Sequence, residues 1–258
     1  MDEYLRQGFW EIMNKEEQYK KQLSYFGDEF GHKTEYKLAS WQKSYIERIK
    51  KYVLEDSHKG KVLIDIATGS GYVAVEMAKL GLNVIATDLT PEAIENLKKY
   101  KKKFSLSNLK LIKCYAEKIP LPDNSVDYII ANAILEHIPD EEQAIEEWKR
   151  ILKPGGKMFI TVPLKYRYIW PFLWLPNYMH DKRIGHLRRY DLKTLKYKFK
   201  LPVVKTFYSG RLIKIVGIVL SIILRTDKHD EYFEEKDKKY QNNIYGANNI
   251  SVILKNEE

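Results

Sequence analysis

The sequence predicts an α/β fold, a mostly parallel sheet of seven strands covered by helices on both faces. Three observations predict it. From Lys61 to Pro163 short branched-apolar runs alternate with amphipathic runs of helical period, and repeated β-α units of that length require parallel strands with both faces covered. A glycine turn, "TGSG", separates the first strand from the helix behind it. An acid, Asp88, ends the second strand.

The elements follow in order. From Asp2 to about Leu54 the text is helical, with apolar residues three and four apart (Phe9, Ile12, Met13; Leu38, Trp41, Tyr45, Ile46, Ile49). "KVLIDI" is a buried strand, "GYVAVEMAKLG" a helix stopped by Gly81, and "NVIATD" a second strand. Pro91 opens the next helix after Thr90 as N-cap, and that helix runs through Lys103. "LKLIKCY" and "VDYIIANA" are strands three and four, "PDEEQAIEEWKRIL" a helix, "LKPGG" a tight turn and "KMFITVP" strand five. The regularity breaks at "LKYRYIWPFLWLPNYMHDKRIGHLRRY", which is too long and aromatic for a simple connector. "DLKTLKYKF" is a helix, "VVKTFYS" strand six, "LIKIVGIVLSIIL" an apolar helix placed in the core, and "NISVILKN" strand seven; a charged stretch from Thr226 to about Asn243 lies between the last two.

Composition narrows the class. The 258 residues suit one α/β domain with added segments, and 44% hydrophobic residues suffice for a full core. The net charge of +9 is compatible with an anionic substrate, anionic lipid or nucleic acid, but the lysines are interspersed with glutamates as on a solvated surface. The single cysteine, Cys114, excludes a disulfide framework and reads as a small core residue. "MDEYLRQGFW" lacks the basic-then-apolar order of a signal peptide, and no apolar run approaches about 20 residues. A cytoplasmic protein is expected.

The glycine turn fits two ligands at first sight. Gly69, Gly71 and Ala74 match a dinucleotide fingerprint, with Asp88 at the distance that serves a ribose diol. Asp65, at the end of the first strand, separates the two. It would repel a pyrophosphate seated on the turn, since two charges about 4 Å apart interact by roughly 4 kcal/mol at an effective dielectric near 20. It would attract a sulfonium and an ammonium. The charge therefore favours S-adenosylmethionine over a nicotinamide dinucleotide.

From Val62 to Pro163, "VLIDIATGSGYVAVEMAKLGLNVIATDLTPEAIENLKK" and "AEKIPLPDNSVDYIIANAILEHIPDEEQAIEEWKRILKPGGKMFITVP" resemble the two halves of class I S-adenosylmethionine-dependent methyltransferases, in the ubiquinone- and menaquinone-biosynthesis-like branch. "GHLRRYDLKTL" extends the likeness. The resemblance implies a Rossmann-like methyltransferase fold with an antiparallel last strand and an aromatic lid insertion. It divides the chain into an N-terminal helical segment over the active site, 1–57, and a cofactor-binding domain, 58–258, with lid insertions at about 164–190 and 209–248. Carried over by position, Asp65 lies by the methionyl amine; Ala67, Gly69 and Gly71 contact the methionyl part and ribose through backbone. Asp88 holds the diol, Leu89 packs on adenine, Ala116 and Glu117 border its edge, and Asn132 lies near the transferring methyl. Ala67 departs from the usual first glycine of the turn.

Methyl transfer is an in-line displacement in which alignment does much of the work, with a base needed only where the acceptor must lose a proton. His137 and His186 are the base candidates. Arg188, Arg189 and Tyr190 suit an anionic group, and Tyr166 and Trp170, with the other aromatics of the 164–190 segment, suit an apolar or planar acceptor. No histidine pair or carboxylate cluster has metal-ligand spacing, so no metal is expected. The apolar helix and the charge mildly favour a hydrophobic or membrane-derived acceptor and peripheral contact with an anionic membrane. Three rivals remain: an RNA methyltransferase, although "ANAI" replaces an Asn-Pro-Pro-Tyr-type signature; an NAD-dependent oxidoreductase; and a non-catalytic S-adenosylmethionine-binding protein.

Overall fold

The computed structural model describes residues 15–31, 35–226 and 229–257. The expected apolar spacing at Phe9, Ile12 and Met13 lies outside them. Two helices, α1 (Lys15–Gly31) and α2 (Ser40–Arg48, extended by a π turn Ile49–Val53), precede the first strand. Then follow β1 (Val62–Ile66), α3 (Tyr72–Lys79), β2 (Asn83–Asp88), α4 (Pro91–Lys103), β3 (Leu109–Lys113), β4 (Val126–Asn132), α5 (Glu141–Ile151) and β5 (Leu152–Pro163). The chain closes with α6 (Trp174–Ile184), α7 (Leu192–Phe199), β6 (Val203–Ser209), α8 (Leu212–Leu224), α9 (Asp230–Lys238) and β7 (Asn249–Lys255).

The strands form one seven-stranded sheet in the order β3-β2-β1-β4-β5-β7-β6. β1 to β5 run parallel, and β7 is antiparallel to both β5 and β6. The order reverses between β1 and β4, where an open α/β sheet opens a crevice beyond its carboxyl ends. Side-chain alternation divides the core. Ile64, Ile66, Met158 and Ile160 point to the face covered by Trp148 of α5 and Leu195 and Phe199 of α7. Leu63 and Phe159 point to the other face, with Ile46 and Ile49 near the chain start, Met77 of α3 and Leu97 of α4.

Two expectations need correction. "LKPGG" is not a free turn before strand five. Val126 pairs with Leu152 and Tyr128 with Lys157, so the intervening residues bulge out within β5. Gly155, at φ 78°, donates its N–H to the Asn256 carbonyl at 2.7 Å, which anchors the bulge to the chain end. The apolar helix α8 is not in the core. Leu212, Val216, Val219 and Ile223 are exposed along it, and its inner contact is a close approach to α9, where a Cβ on Gly217 would lie 2.6 Å from the Phe233 ring. The charged stretch after Thr226 is itself partly helical, as α9, whose Glu234 pairs with Lys214 at 2.6 Å.

Trp148 is fully buried, and its Nε1–H donates to the Ala116 carbonyl at 2.9 Å, tying α5 to the loop after β3. Trp148→Ala should lower stability by about 3–5 kcal/mol through the cavity it leaves, read as a drop in the denaturant midpoint.

Candidate functional site

The turn after β1 is built by backbone conformation and two buried acids. Ala67, Gly69 and Gly71 all have positive φ, at 51°, 51° and 75°. An L-residue in that region costs roughly 1–2 kcal/mol, so Ala67 carries strain that glycine would not. Gly71 caps α3, and a Cβ there would lie 2.5 Å from Leu97 Cδ2. The hydrogen at position 71 is what lets α3 pack against α4. Gly71 does not line the cavity described below, and its visible part is conformational.

Asp65 is 3% exposed. Its Oδ2 accepts from Thr68 Oγ1 at 2.5 Å and from the Ala74 N–H at 3.2 Å. It thus also serves as an acceptor for an α3 backbone N–H. Burial pushes its carboxyl up to about 7, against the two hydrogen bonds that favour the anion, with Asp88 adding to the rise. Asp88 uses both oxygens on the chain: Oδ2 accepts from the Gly69 N–H and Oδ1 from the Thr90 N–H, each at 2.8 Å. Burial raises its pKa despite these bonds. Oδ2 of Asp65 already accepts two bonds, so Oδ1 is the oxygen of that side chain left for a further donor.

These residues open onto a cavity of about 280 Å³ at the switch point of the sheet. Of the residues expected to hold a cofactor, Asp65, Ala67, Gly69, Asp88, Leu89, Ala116, Glu117 and Asn132 all line it. Asn132 Nδ2 donates to the Tyr72 hydroxyl at 2.6 Å, which holds the amide at the wall. Cys114 also lines it, half-buried, and burial pushes its thiol up to about 11. The expectation of a plain core residue is corrected to that extent.

The roof was not foreseen in detail. Tyr19, Gln22, Leu23, Phe26 and Phe30 of α1 line the cavity, with Trp41 and Gln42 of α2. Their spacing places the α1 residues on one helical face, a signal present in "YKKQLSYFGDEF". The Tyr19 hydroxyl donates to Glu117 Oε1, and Lys15 Nζ stands 3.4 Å from the same oxygen. Burial, then Glu117, raises the Tyr19 pKa well above the ordinary phenol range. A Cβ on Gly69 would lie 3.0 Å from the Phe30 ring, so the roof rests on the glycine turn.

The substrate-side expectations fare differently. His137 lines the cavity but is 3% exposed, and burial, with His186 beside it, brings its pKa down to about 3. Burial thus favours its neutral ring. His186 does not line the cavity. Its Nδ1 is 2.8 Å from Asp181 Oδ1, and its ring stands 4.7 Å from that of His137, centroid to centroid.

Tyr166, Trp170, Arg188 and Tyr190 also lie outside the lining, each for a visible reason. Tyr166 donates to Asp181 at 2.5 Å, and Arg189 donates to the same carboxylate at 2.6 Å and stacks on the Tyr166 ring. Arg188 is spent on the carbonyls of Ile138 and Pro139, at 2.6 and 3.0 Å. Tyr190, 1% exposed, donates to Glu141 at 2.7 Å. Trp170 packs beside Gly246, where a Cβ would lie 2.6 Å from its Nε1. The 164–190 segment is thus an ordered buttress around Asp181. The absence of metal-ligand spacing is also a property of the linear text only: folding brings Glu136, His137 and His186 together, their ligand atoms within 4.8 Å of one another.

Sheet order, glycine turn and paired acids define a Rossmann-like methyltransferase architecture. Residues 64–160 match the family model described as a methyltransferase domain. Over that segment the chain is similar to methyltransferase domains. Among curated proteins, the chain is 36% identical over 124 residues to the ubiquinone/menaquinone biosynthesis C-methyltransferase UbiE of Rickettsia akari, covering 45% of this chain and 47% of that one. It is 35% identical over 112 residues to the demethylmenaquinone methyltransferase of Chlorobaculum tepidum, covering 43% and 44%. The chain spans about half the length of these relatives. Among solved structures, Haemonchus contortus phosphoethanolamine N-methyltransferase 2 superposes with a TM-score of 0.66 at 16% identity, covering 90% of this chain and 57% of that one. The [4+2]-cyclase SpnF superposes with a TM-score of 0.62 at 16% identity, covering 92% and 93%. Likeness at that identity concerns the fold alone, since one fold hosts different reactions.

A pH dependence follows from Asp65. An unfolded-state aspartate titrates near 4, and the folded one at about 7. A raised acid pKa gives stability that is complete below the unfolded value and is lost as pH rises through the folded value. Ligand-free Asp65→Asn should therefore gain on the parent between about pH 4 and pH 7, by on the order of 1 kcal/mol per unit. Paired denaturant titrations across that range check it; parallel curves would contradict the burial of the charge.

Proposed function

We propose that the whole chain is an enzyme that moves a methyl group from S-adenosylmethionine to a small, apolar or planar acceptor. The observation that carries this reading is the cavity itself: buried acids and a glycine turn on one wall, an aromatic roof on the other. Asp88 suits a ribose diol, Leu89 and Ala116 the adenine faces, and Asp65 the methionyl ammonium. Asp65 also disfavours a pyrophosphate there, which counts against the nicotinamide reading. Tyr19, Phe26 and Phe30 offer apolar ring surface to the acceptor. The names of the curated relatives support a quinone-type ring as acceptor.

The chain's part in the chemistry is alignment and exclusion of water. The roof closes the cavity, Asn132 and Tyr72 set one wall, and no strong base borders it among the expected histidines. A cationic ligand beside Asp65 favours its ionised form. Binding of S-adenosylhomocysteine at pH 7 should therefore release protons, seen as a binding enthalpy that varies with buffer ionisation. Asp65→Ala should weaken that binding about 10-fold or more, the loss of one charge-assisted contact. Unchanged affinity would overturn the role given to Asp65. Labelled methyl donor on cell extract, fractionated into lipid, RNA and small molecules, tests the acceptor class. Label in the RNA fraction would favour the RNA reading, and no label in any fraction the non-catalytic one.

A second proposal concerns location. Among the described residues no helix is long and apolar enough to cross a membrane. The exposed apolar row of Leu212, Val216, Val219 and Ile223 on α8 supports contact with a bilayer interface. The full chain should co-sediment with phosphatidylglycerol vesicles, and Val216→Asp with Ile223→Asp should abolish it. Absence of sedimentation by the parent chain would remove the membrane from the reading.

A further inference from the structure

At the edge of the cavity lies a group of side chains to which the proposed methyl transfer assigns no part. Glu136, His137 and His186 come from two distant stretches, the turn after β4 and the segment after α6, yet their ligand atoms all lie within 4.8 Å of one another. They are 1%, 3% and 9% exposed. Glu136 Oε2 and His137 Nδ1 are fully buried and have no hydrogen-bond partner. His186 Nε2 stands 3.6 Å from Glu136 Oε1, beyond hydrogen-bond range. A buried polar atom without a partner costs free energy, and two in one cluster call for an occupant.

We propose that Glu136, His137 and His186 bind a divalent transition-metal ion of the zinc class, through one carboxylate oxygen, His137 Nδ1 and His186 Nε2. Two imidazoles and one carboxylate form a donor set that zinc accepts while keeping a position open for an exchangeable ligand. The surroundings match such a site. His186 directs its other nitrogen to Asp181 at 2.8 Å. Asp181 is held in turn by Arg189 at 2.6 Å and by Tyr166 at 2.5 Å. The carboxylate behind His186 fixes the tautomer that presents a free Nε2 lone pair to a metal. This gives the ordered Asp181 buttress a purpose beyond packing, because it aims His186.

His137 also lines the cofactor cavity, so the open position of such an ion borders the space offered to the acceptor. The site stands on its own residues and does not depend on the proposed methyl transfer.

The test uses the full chain, stripped with chelator and titrated with Zn²⁺, then with Co²⁺ as a spectroscopic probe. One Zn²⁺ per chain at sub-micromolar affinity is expected. Asp181→Asn, a positioning change, should weaken binding about 10- to 100-fold, and His186→Gln and Glu136→Gln should weaken it further. S-adenosylhomocysteine affinity monitors folding in each variant. Asp65→Ala should retain the metal while losing that ligand, so the two readings fail separately. Where a variant does not fold, X-ray absorption of the zinc-loaded parent decides, with two imidazole nitrogens at about 2.0–2.1 Å expected. No stoichiometric binding, binding that survives His186→Gln, or a zinc shell without imidazole would overturn the site.

Discussion

The site rests on two buried carboxylates that bond to backbone before they meet any ligand. Asp65 accepts from Ala74 at the start of α3, and Asp88 accepts from Gly69 and Thr90. Together they fix the ends of β1 and β2 against the turn that joins them to the helices behind. Three successive departures into positive φ at Ala67, Gly69 and Gly71 would otherwise be a loose and strained path. The carboxylates turn that path into a rigid rim. The same burial that makes them good acceptors for backbone raises their affinity for protons. A cation arriving in the cavity relieves both conditions at once. The electrostatics of the ligand-free site are thus complementary to a positively charged occupant.

The upper half of the cavity is assembled differently. It consists of one face of α1 laid over the rim, with Phe30 touching Gly69 and Tyr19 bonded to Glu117. Gln22 reaches past the rim to the His137 carbonyl at 2.5 Å, and Gln18 to the Gly185 carbonyl at 2.7 Å. The helix therefore contacts both the cofactor wall and the turns that carry the two histidines. The floor is sheet, held by a continuous ladder, while the roof is one helix held by side-chain contacts.

Much of this was legible in the sequence, for physical reasons that differ by element. The central strands could be read because they are buried on both faces and so show an unbroken apolar run, as in "VLIDI" and "YIIA". That Asp65, Ala67, Gly69, Asp88, Leu89, Ala116, Glu117 and Asn132 line one cavity could be anticipated because they are adjacent to strand ends and follow the chain in order. The substrate side could not. Tyr166, Arg188, Arg189 and Tyr190 look like ligand-binding groups by type, but their partners, Asp181, Glu141 and the Ile138 and Pro139 carbonyls, are found only in the folded chain. The partnership of His186 with Glu136 and His137 has the same origin. The face of α1 was visible as a helical spacing, but a period does not say what the face covers. "LKPGG" was misread because a proline and two glycines mark a turn equally well as a bulge inside a strand. The apolar α8 was misplaced because hydrophobicity alone does not separate a core helix from one that leaves a row of side chains uncovered.

The contact between Phe30 and Gly69 has an evolutionary side. The rim position must remain a glycine for the ring to stay where it is, since even a methyl group there would stand 3.0 Å from Phe30 Cζ. The rim belongs to the shared methyltransferase segment, residues 64–160, and the roof helix lies outside it. The lining of the cavity can therefore change along α1 outside the matched segment, provided that the aromatic tip over the turn and the Tyr19–Glu117 bond are kept. The helix is a cover fastened at several points, by Phe30 over the turn, by Tyr19 to Glu117 and by Gln22 to the His137 carbonyl, which leaves Leu23 and Phe26 as the lining residues most open to change.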